Sequence, residues 1–410
     1  MKKFFALLLS LAMVLALVAC GQKDPTPDTP DTPDDPQTKV EYKVAMITDY
    51  GDITDQSFNQ TTYEACKAFA EDNSIEFSYF RPAGDNTADR VAMIEKAVDE
   101  GFNVIVMPGY AFGGAIVEAA PEFPDVKFIA LDVAAGDLLE TAVAKAGEAY
   151  DYTPENWDLN KYVDMSNVYC AVYQEELCGY MAGYAAVKLG YKSLGFLGGM
   201  AVPAVVRYGY GFVQGVDAAA ADLGLTDVKL NYIYGGQFFG DADITAVMDT
   251  WYQGGTEVVF ACGGGIYTSA VDAAKKVGAK VIGVDVDQAG VIANYAGVDG
   301  MTVTSAMKGL YPATYDTLTD VIVNGNWEKY VGKIETLGLV SGTDPEANYV
   351  QIPMGDGTQW SDSFTQDDYK AMVKDMFDGK ITVSNNTSSD VSAADFATVI
   401  TVDDQGSIKG

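Results

Sequence analysis

The sequence predicts an α/β protein made of two doubly wound, parallel-sheet lobes in tandem. Three observations carry that expectation. From Lys43 onward, short β-branched or apolar runs alternate with amphipathic stretches of helical length. The apolar runs are continuous rather than alternating, as strands covered on both faces must be. The alternation then restarts after Asn167, so one sheet is followed by another of the same kind. In the first series, strands are expected at residues 44–48, 77–80, 103–107 and 126–132, with helical periodicity at 57–72 and 88–100. The second opens with a strand at 168–173 and a helix at 175–189. A strand at 194–197, a long helix from Pro203, and strands at 228–234, 257–261, 280–285 and 301–305 follow. Residues 133–166 break the rhythm and are expected to form an inserted loop near the lobe junction, polar and aromatic between Tyr150 and Tyr162. After Asp390 the patterning is weak, which suits either an added edge strand or a frayed tail.

Composition agrees with a folded chain and removes several classes of function. The 410 residues are room for two or three globular units, and 48% are hydrophobic, with 25 Tyr, 18 Phe and 4 Trp. A formal charge of −32 repels polyanions, so neither nucleic acid nor an anionic lipid surface is an expected ligand. Histidine is absent. That excludes His-based triads, His general bases and the commonest zinc ligand. No CxxC pair occurs among Cys66, Cys170, Cys178 and Cys262, which are read as small buried hydrophobes; no cofactor and no metal is expected.

The first forty residues read as an address. Lys2-Lys3 precede an apolar run at 4–19 that is too short to span a membrane and ends at Cys20-Gly21. Leu17-Val18-Ala19-Cys20 resembles a bacterial lipobox, which implies a signal peptide at 1–19, cleavage before Cys20 and a diacylglyceryl thioether on that residue. Residues 20–39 repeat a Thr-Pro-Asp unit, carry few apolar side chains and are expected to be an extended tether. The folded part is then expected outside the cytoplasmic membrane, held there by lipid.

In parallel sheets, ligands bind beyond the carboxyl ends of the strands, and in a two-lobed protein that edge faces the cleft. Asp49, Asp132, Gly263-Gly264-Gly265 and Asp285 fall at such ends, with Lys308 just after the strand at 301–305. Carboxylates accept hydrogen bonds from hydroxyls and amines, whereas a phosphate would need more cations than this rim offers. Singly, each Asp also suits a helix N-cap, and Asp55 is expected to cap the helix opening at Ser57-Phe58-Asn59. Phe58 suits the core or a stacking plate in the cleft mouth. The glycine run suits a tight turn or a clamp of bare amides, and it is no Walker loop because Gly-Lys-Ser/Thr does not follow.

These residues resemble a known set. Met46-Ile47-Thr48-Asp49 with Gly51, Asp55 and Ser57-Phe58-Asn59 is similar to the opening signature of the basic membrane protein family of lipoproteins, nucleoside receptors of ATP-binding-cassette importers. Leu177 to Ala182 with Gly183, Gly198-Gly199-Met200 with Pro203 and Arg207, and Gly211-Phe212 with Gly215 continue the resemblance. So do Gly283-Val284-Asp285 with Asp287-Gln288, and Thr304-Ser305-Ala306-Met307-Lys308. It runs from about Val44 to Val383 in the family's order. This chain departs from it at Ile266-Tyr267, where the family commonly has a further glycine, and in the longer 133–166 segment.

The resemblance implies a type I periplasmic-binding-protein fold with a three-crossing hinge. Its lobes would be 40–166 with 306–330 and 167–305 with 331–384, followed by a C-terminal extension at 385–410. It implies that Asp49 and Asn59 bond the edge of a base and that Phe58 stacks on one face. The opposite plate would be Phe238, with Phe239 in reserve. Asp132, Asp285, Lys308 and the Gly264 and Gly265 backbone would hold the ribose. The implied protein is a monomeric receptor that closes on a nucleoside, with a purine base expected, and presents it to a permease. A second reading is a receptor for a free sugar or another small polar solute. A third is a serine-reactive enzyme, because Ser305 and Lys308 spell Ser-x-x-Lys, although no Lys-Thr-Gly accompanies it.

Overall fold

The apolar runs become strands with no solvent on either face: residues 44–47, 104–107 and 258–261 are wholly inaccessible. The computed structural model describes residues 41–409. The expected signal peptide, Cys20 and tether lie outside the described residues.

The chain first builds β1 (Lys43–Ile47), α1 (Phe58–Asn73), β2 (Glu76–Phe80), α2 (Thr87–Asp99), β3 (Val104–Pro108), α3 (Gly113–Ala119), β4 (Lys127–Leu131), α4 (Ala135–Lys145), α5 (Leu159–Tyr162) and β5 (Val168–Tyr173). It continues with α6 (Glu175–Lys188), β6 (Ser193–Gly198), α7 (Pro203–Leu223), β7 (Lys229–Tyr234), α8 (Ala242–Gln253), β8 (Val258–Cys262), α9 (Tyr267–Val277), β9 (Lys280–Asp285), α10 (Ala289–Ala296) and β10 (Thr302–Lys308). The remainder is α11 (Leu310–Leu318), β11 (Lys333–Leu337), β12 (Val350–Gln351), α12 (Gln366–Phe377) and β13 (Thr401–Ser407). One sheet has the order β11-β5-β4-β3-β1-β2 and the other β12-β10-β9-β8-β6-β7-β13. Every pairing is parallel except that of β12 with β10. Both sheets reverse winding direction between their first and third strands, β1 beside β3 and β6 beside β8, and such switch points open a crevice at the strand ends.

The lobe boundaries depart from expectation. β5 pairs with β4 and β11 with β5, so residues 168–173 and 333–337 belong to the first sheet rather than the second. Likewise β10 stays in the second sheet through Lys308, beyond the expected limit at 305. In each case the chain crosses after a strand has ended. The carboxyl ends of both sheets face the cleft, so the exit from a strand is the short way across.

The 133–166 segment is not simply an inserted loop. Leu138, Leu139, Ala142 and Val143 form the buried face of α4, which packs beside α3 as an ordinary covering helix. Only the following turns are irregular, where Trp157 meets Tyr150 and Tyr162 at ring separations of 5.7 and 5.5 Å. The edge-strand alternative holds for the residues after Asp390. β13 extends the second sheet beside β7, and Asp217 on α7 fastens its approach by accepting from the amides of Thr398, Val399 and Ile400 at 2.7–3.0 Å. The four cysteines are buried and unpaired. No helix among the described residues is long and apolar enough to cross a membrane.

Helices α6 and α7 approach until backbone touches backbone. A Cβ on Gly211 would stand 2.1 Å from the Glu176 carbonyl oxygen, and one on Gly179 would stand 2.3 Å from that of Tyr208. Their closeness buries the start of α6, where Glu176 is 2% exposed and its Oε2 has no partner. Burial pushes this carboxyl up from 4.5 to about 7, and the neighbouring Glu175 charge adds to the effect against the pull of Arg207.

Two outcomes follow from this packing. Gly211→Ala should lower the unfolding free energy by about 1–3 kcal/mol in urea titration, whereas Gly290→Ala on α10, with open space around its Cβ, should be neutral or slightly stabilising. Equal effects would show that the close approach carries no weight. The raised Glu176 carboxyl gives the second. Between 4.5 and about 7 the unfolded chain gives up this proton while the folded protein keeps it, so stability falls as pH rises through that window and stays lowered above it. Glu176→Gln should therefore raise the urea midpoint more at pH 8 than at pH 5. A pH-independent gain would contradict this account.

Candidate functional site

The two switch points face one another across a cavity of about 380 Å³, at the small end of the roughly 300–1,000 Å³ usual for ligand sites. All nine residues expected from the sequence line it: Asp49, Phe58, Asn59, Asp132, Phe238, Gly264, Gly265, Asp285 and Lys308. They are brought together by strand ends of both sheets, the first turn of α1 and the loop after β7.

At the β1 end, Asp49 Oδ1 accepts from the amides of Tyr50 and Gly51 at 2.6 and 2.7 Å and from Asn59 Nδ2 at 3.2 Å. Burial raises its pKa, partly opposed by these bonds. Asp55 caps α1 as expected, accepting from the amides of Ser57, Asn59 and Gln60 at 2.9–3.1 Å, and it also receives Asn59 Nδ2 at 3.2 Å. With both carboxylates on its amino group, Asn59 turns its Oδ1 elsewhere, buried and without a partner.

Asp132 and Asp285 end their strands in left-handed backbone, at φ 59° and 65°, a region that Asp tolerates better than most residues and that occurs preferentially at functional sites. Asp132 Oδ2 accepts from Lys308 Nζ, while its Oδ1 is buried and unpaired. Asp285 accepts from Ser57 Oγ at 2.6 Å and from Tyr208 Oη at 3.3 Å. Lys308 also reaches Glu175 at 3.4 Å and lies over the rings of Phe58, Tyr173 and Tyr208, 4.9–5.7 Å from their centroids. Burial pulls the pKa of this ammonium down; the carboxylates of Asp132, Glu175 and Asp285 outweigh it and hold the charge. Burial likewise raises the Asp132 and Asp285 carboxyls against the pull of Lys308.

Phe238 packs against the bare backbones of Gly199 and Gly263, where added Cβ atoms would come within 2.3 and 2.8 Å of its ring. Phe239 is 55% exposed at the rim, so Phe238 is the inner ring. The expected glycine clamp needs correction: the Gly265 amide already donates to the Phe238 carbonyl at 2.9 Å. It shapes the loop, and of the pair only the Gly264 amide, in left-handed backbone at φ 47°, is left for a ligand.

Sequence reasoning missed several contributors. Tyr110 and Tyr50 both point their hydroxyls at Met200 Sδ, 3.6 Å away on the other side of the cleft. Glu175 binds Arg207 Nε at 2.6 Å, and Asp137, which burial pushes up to about 7, lies in the segment read as an insertion. Tyr110 and Glu175 each follow a strand, so the strand-end rule would have found them had it been applied to β3 and β5.

The cleft is closed. Ser57 with Asp285, Lys308 with Asp132, and Gln288 Nε2 with the Gln56 carbonyl at 3.2 Å all join one lobe to the other. The serine-enzyme reading fails on geometry: Ser305 and Lys308 are three residues apart on β10 and so face opposite sides of the sheet. Ser305 Oγ is wholly buried, accepting from the Gln288 amide. No cluster of His, Cys, Asp or Glu among the described residues is arranged to hold a metal.

Comparison with known proteins places this architecture. Residues 42–343 match the family model Bmp, "ABC transporter substrate-binding protein PnrA-like". A Lactococcus lactis subsp. cremoris protein, "ABC transporter nucleoside-binding protein BmpA", is 25% identical over 392 residues, covering 92% of this chain and 96% of its own. Basic membrane protein B of Borreliella burgdorferi is 26% identical, with 76% and 83% covered. An ABC transporter solute-binding protein of Aeropyrum pernix superposes with a TM-score of 0.60 at 20% identity over 84% of this chain and 88% of that one, which shows the type I solute-binding fold. The chain belongs to the Bmp family of PnrA-like ABC transporter substrate-binding proteins, and it is a solute receptor rather than an enzyme.

Proposed function

We propose that the protein captures a purine nucleoside in the cleft and delivers it to the permease of an ABC importer, working from the outer face of the membrane on a lipid carried by Cys20. The observation that carries this reading is the pairing, within one cavity, of aromatic rings from both lobes with buried acceptors that lack partners, Asn59 Oδ1 and Asp132 Oδ1. Flat apolar walls suit a heteroaromatic base, and buried acceptors suit the donors of a base edge and of ribose hydroxyls. In this reading Asp49 and Asn59 take the base edge, and Phe58 and Phe238 sandwich the ring. Asp132, Asp285, Lys308 and the Gly264 amide hold the sugar. A phosphorylated ligand is disfavoured, because Lys308 and Arg207 are already engaged by carboxylates. The name of the Lactococcus lactis relative supports the ligand class. Ser57 and Asp285 join the lobes directly, which suits closure by hinge bending around a bound solute.

Calorimetry with refolded protein tests the ligand. Phe58→Ala should weaken inosine, adenosine and guanosine alike by about 1–3 kcal/mol. Asp285→Ala should weaken ribonucleosides more than their 2′,3′-dideoxy forms, whereas Ser57→Ala, which removes only the bond across the cleft, should weaken both equally. Tight binding of free ribose with no gain from a base would move the assignment to a sugar receptor.

Cell fractionation tests the address. The Cys20→Ser protein should accumulate as precursor or be released, where wild type follows the detergent phase. Unchanged partitioning would remove the anchor.

A further inference from the structure

The segment after α12 ends against the loop that carries Phe238. This loop, residues 235–241, contains three glycines, and Gly236 is in left-handed backbone at φ 79°, so its own conformational preferences are weak. Its backbone is held at Gly235 and Gly236, whose amides donate to the Gly198 and Gly199 carbonyls, and at the Phe238 carbonyl by Gly265; its side chains are ordered by the C-terminal segment. The Ile408 amide donates to the Tyr234 carbonyl at 2.8 Å, continuing the pairing of β13 with β7, and brings Lys409 onto Gly236, where an added Cβ would come within 2.7 Å of the Lys409 side chain. Lys409 Nζ then donates to Gln237 Oε1 at 2.8 Å and to Asp241 Oδ2. So oriented, the Gln237 amide donates to the Phe239 carbonyl and to Asp241 Oδ2, both at 2.9 Å. Asp241 in turn caps α8 through the Ile244 amide at 3.0 Å. Gln237, just before the aromatic pair, and Asp241, two residues after it, are thus fastened to one ammonium, which does not line the cavity.

We infer that Lys409 is a positioning residue for ligand recognition: it holds Gln237 and Asp241 so that Phe238 is set against Gly199 and Gly263 before the ligand arrives. A ring already in place adds to affinity because no ordering is left to be done on binding. The inference rests on the proposed stacking role of Phe238, and it assigns to residues 401–409 a part in binding that their distance from the cleft in sequence conceals.

The test is a double-mutant cycle by calorimetry on Lys409→Ala, Phe238→Ala and the double variant, with inosine and free ribose as ligands, joined by hydrogen exchange of the unliganded proteins. Lys409→Ala should weaken inosine by roughly three- to tenfold, the size expected for ordering one side chain on binding, and should spare ribose. It should speed exchange at residues 235–241 without lowering the global unfolding midpoint. In the Phe238→Ala background the same change should have no effect, and Lys409→Arg, which keeps a cationic donor, should restore most of the affinity. Wild-type binding of inosine with full additivity in the cycle, or equal losses for inosine and ribose, would overturn the inference while leaving the nucleoside reading intact. Failure of wild type to bind any nucleoside would instead overturn that reading and this one with it.

Discussion

The buried ammonium of Lys308 organises the cleft. An ammonium withdrawn from water is tolerated only against several carboxylates at close range, and removing one partner from such a group leaves an uncompensated charge. Lys308 finds its partners on separate parts of the chain: Asp132 at a strand end of the first sheet, Glu175 at the start of α6, and Asp285 at a strand end of the second. The other oxygen of Glu175 is taken by Arg207 on α7. Two members of this group flank crossings between the lobes, Glu175 just after the first and Lys308 just before the second. The register of one lobe on the other and the charge balance of the cleft are therefore one constraint. The aromatic rings around the ammonium are part of the same arrangement, since their faces offer partial negative charge where water is excluded.

Much of this was legible in the sequence because parallel sheets advertise themselves. Continuous apolar strands such as 104–107 can be buried only on both faces, and a parallel sheet sends every strand end to the same edge, so Asp49, Asp132 and Asp285 could be grouped without knowing the fold in detail. What stayed hidden was tertiary. Whether residues 168–173 pair with β4 or begin a new sheet depends on which neighbour is present, and nothing local to Val168–Tyr173 states it. α4 was obscured by polar residues on its outer face, although Leu138, Leu139, Ala142 and Val143 already had helical spacing. The amide of Gly265 looked free because its acceptor, the Phe238 carbonyl, lies 27 positions away in sequence.

The lining combines two environments that seldom share a small volume. Aromatic and glycine surfaces present little that needs hydration, while the neighbouring carboxyls are raised by burial and relieved only in part by amides, hydroxyls and Lys308. Buried acceptors left open in this way suit a solute that brings hydroxyl or amine donors. The thiols tell the opposite story. Burial pushes Cys66, Cys170, Cys178 and Cys262 well above their ordinary range, so they are packing atoms even though Cys262 borders the cavity.

β13 has a consequence for solubility. Without it, β7 would present a bare row of amides and carbonyls, the usual template for association between copies of a chain. β13 covers that row and replaces it with an outer edge that is hard to dock against: exposed Asp403 and Asp404, then a break in register before Ser407 with Gly406 in left-handed backbone. Because the same strand carries the chain to the cleft loop, shedding it would expose an adhesive flank and loosen that loop in one event. Cleavage before β13 would leave a flank on β7 to which further copies of the chain can pair.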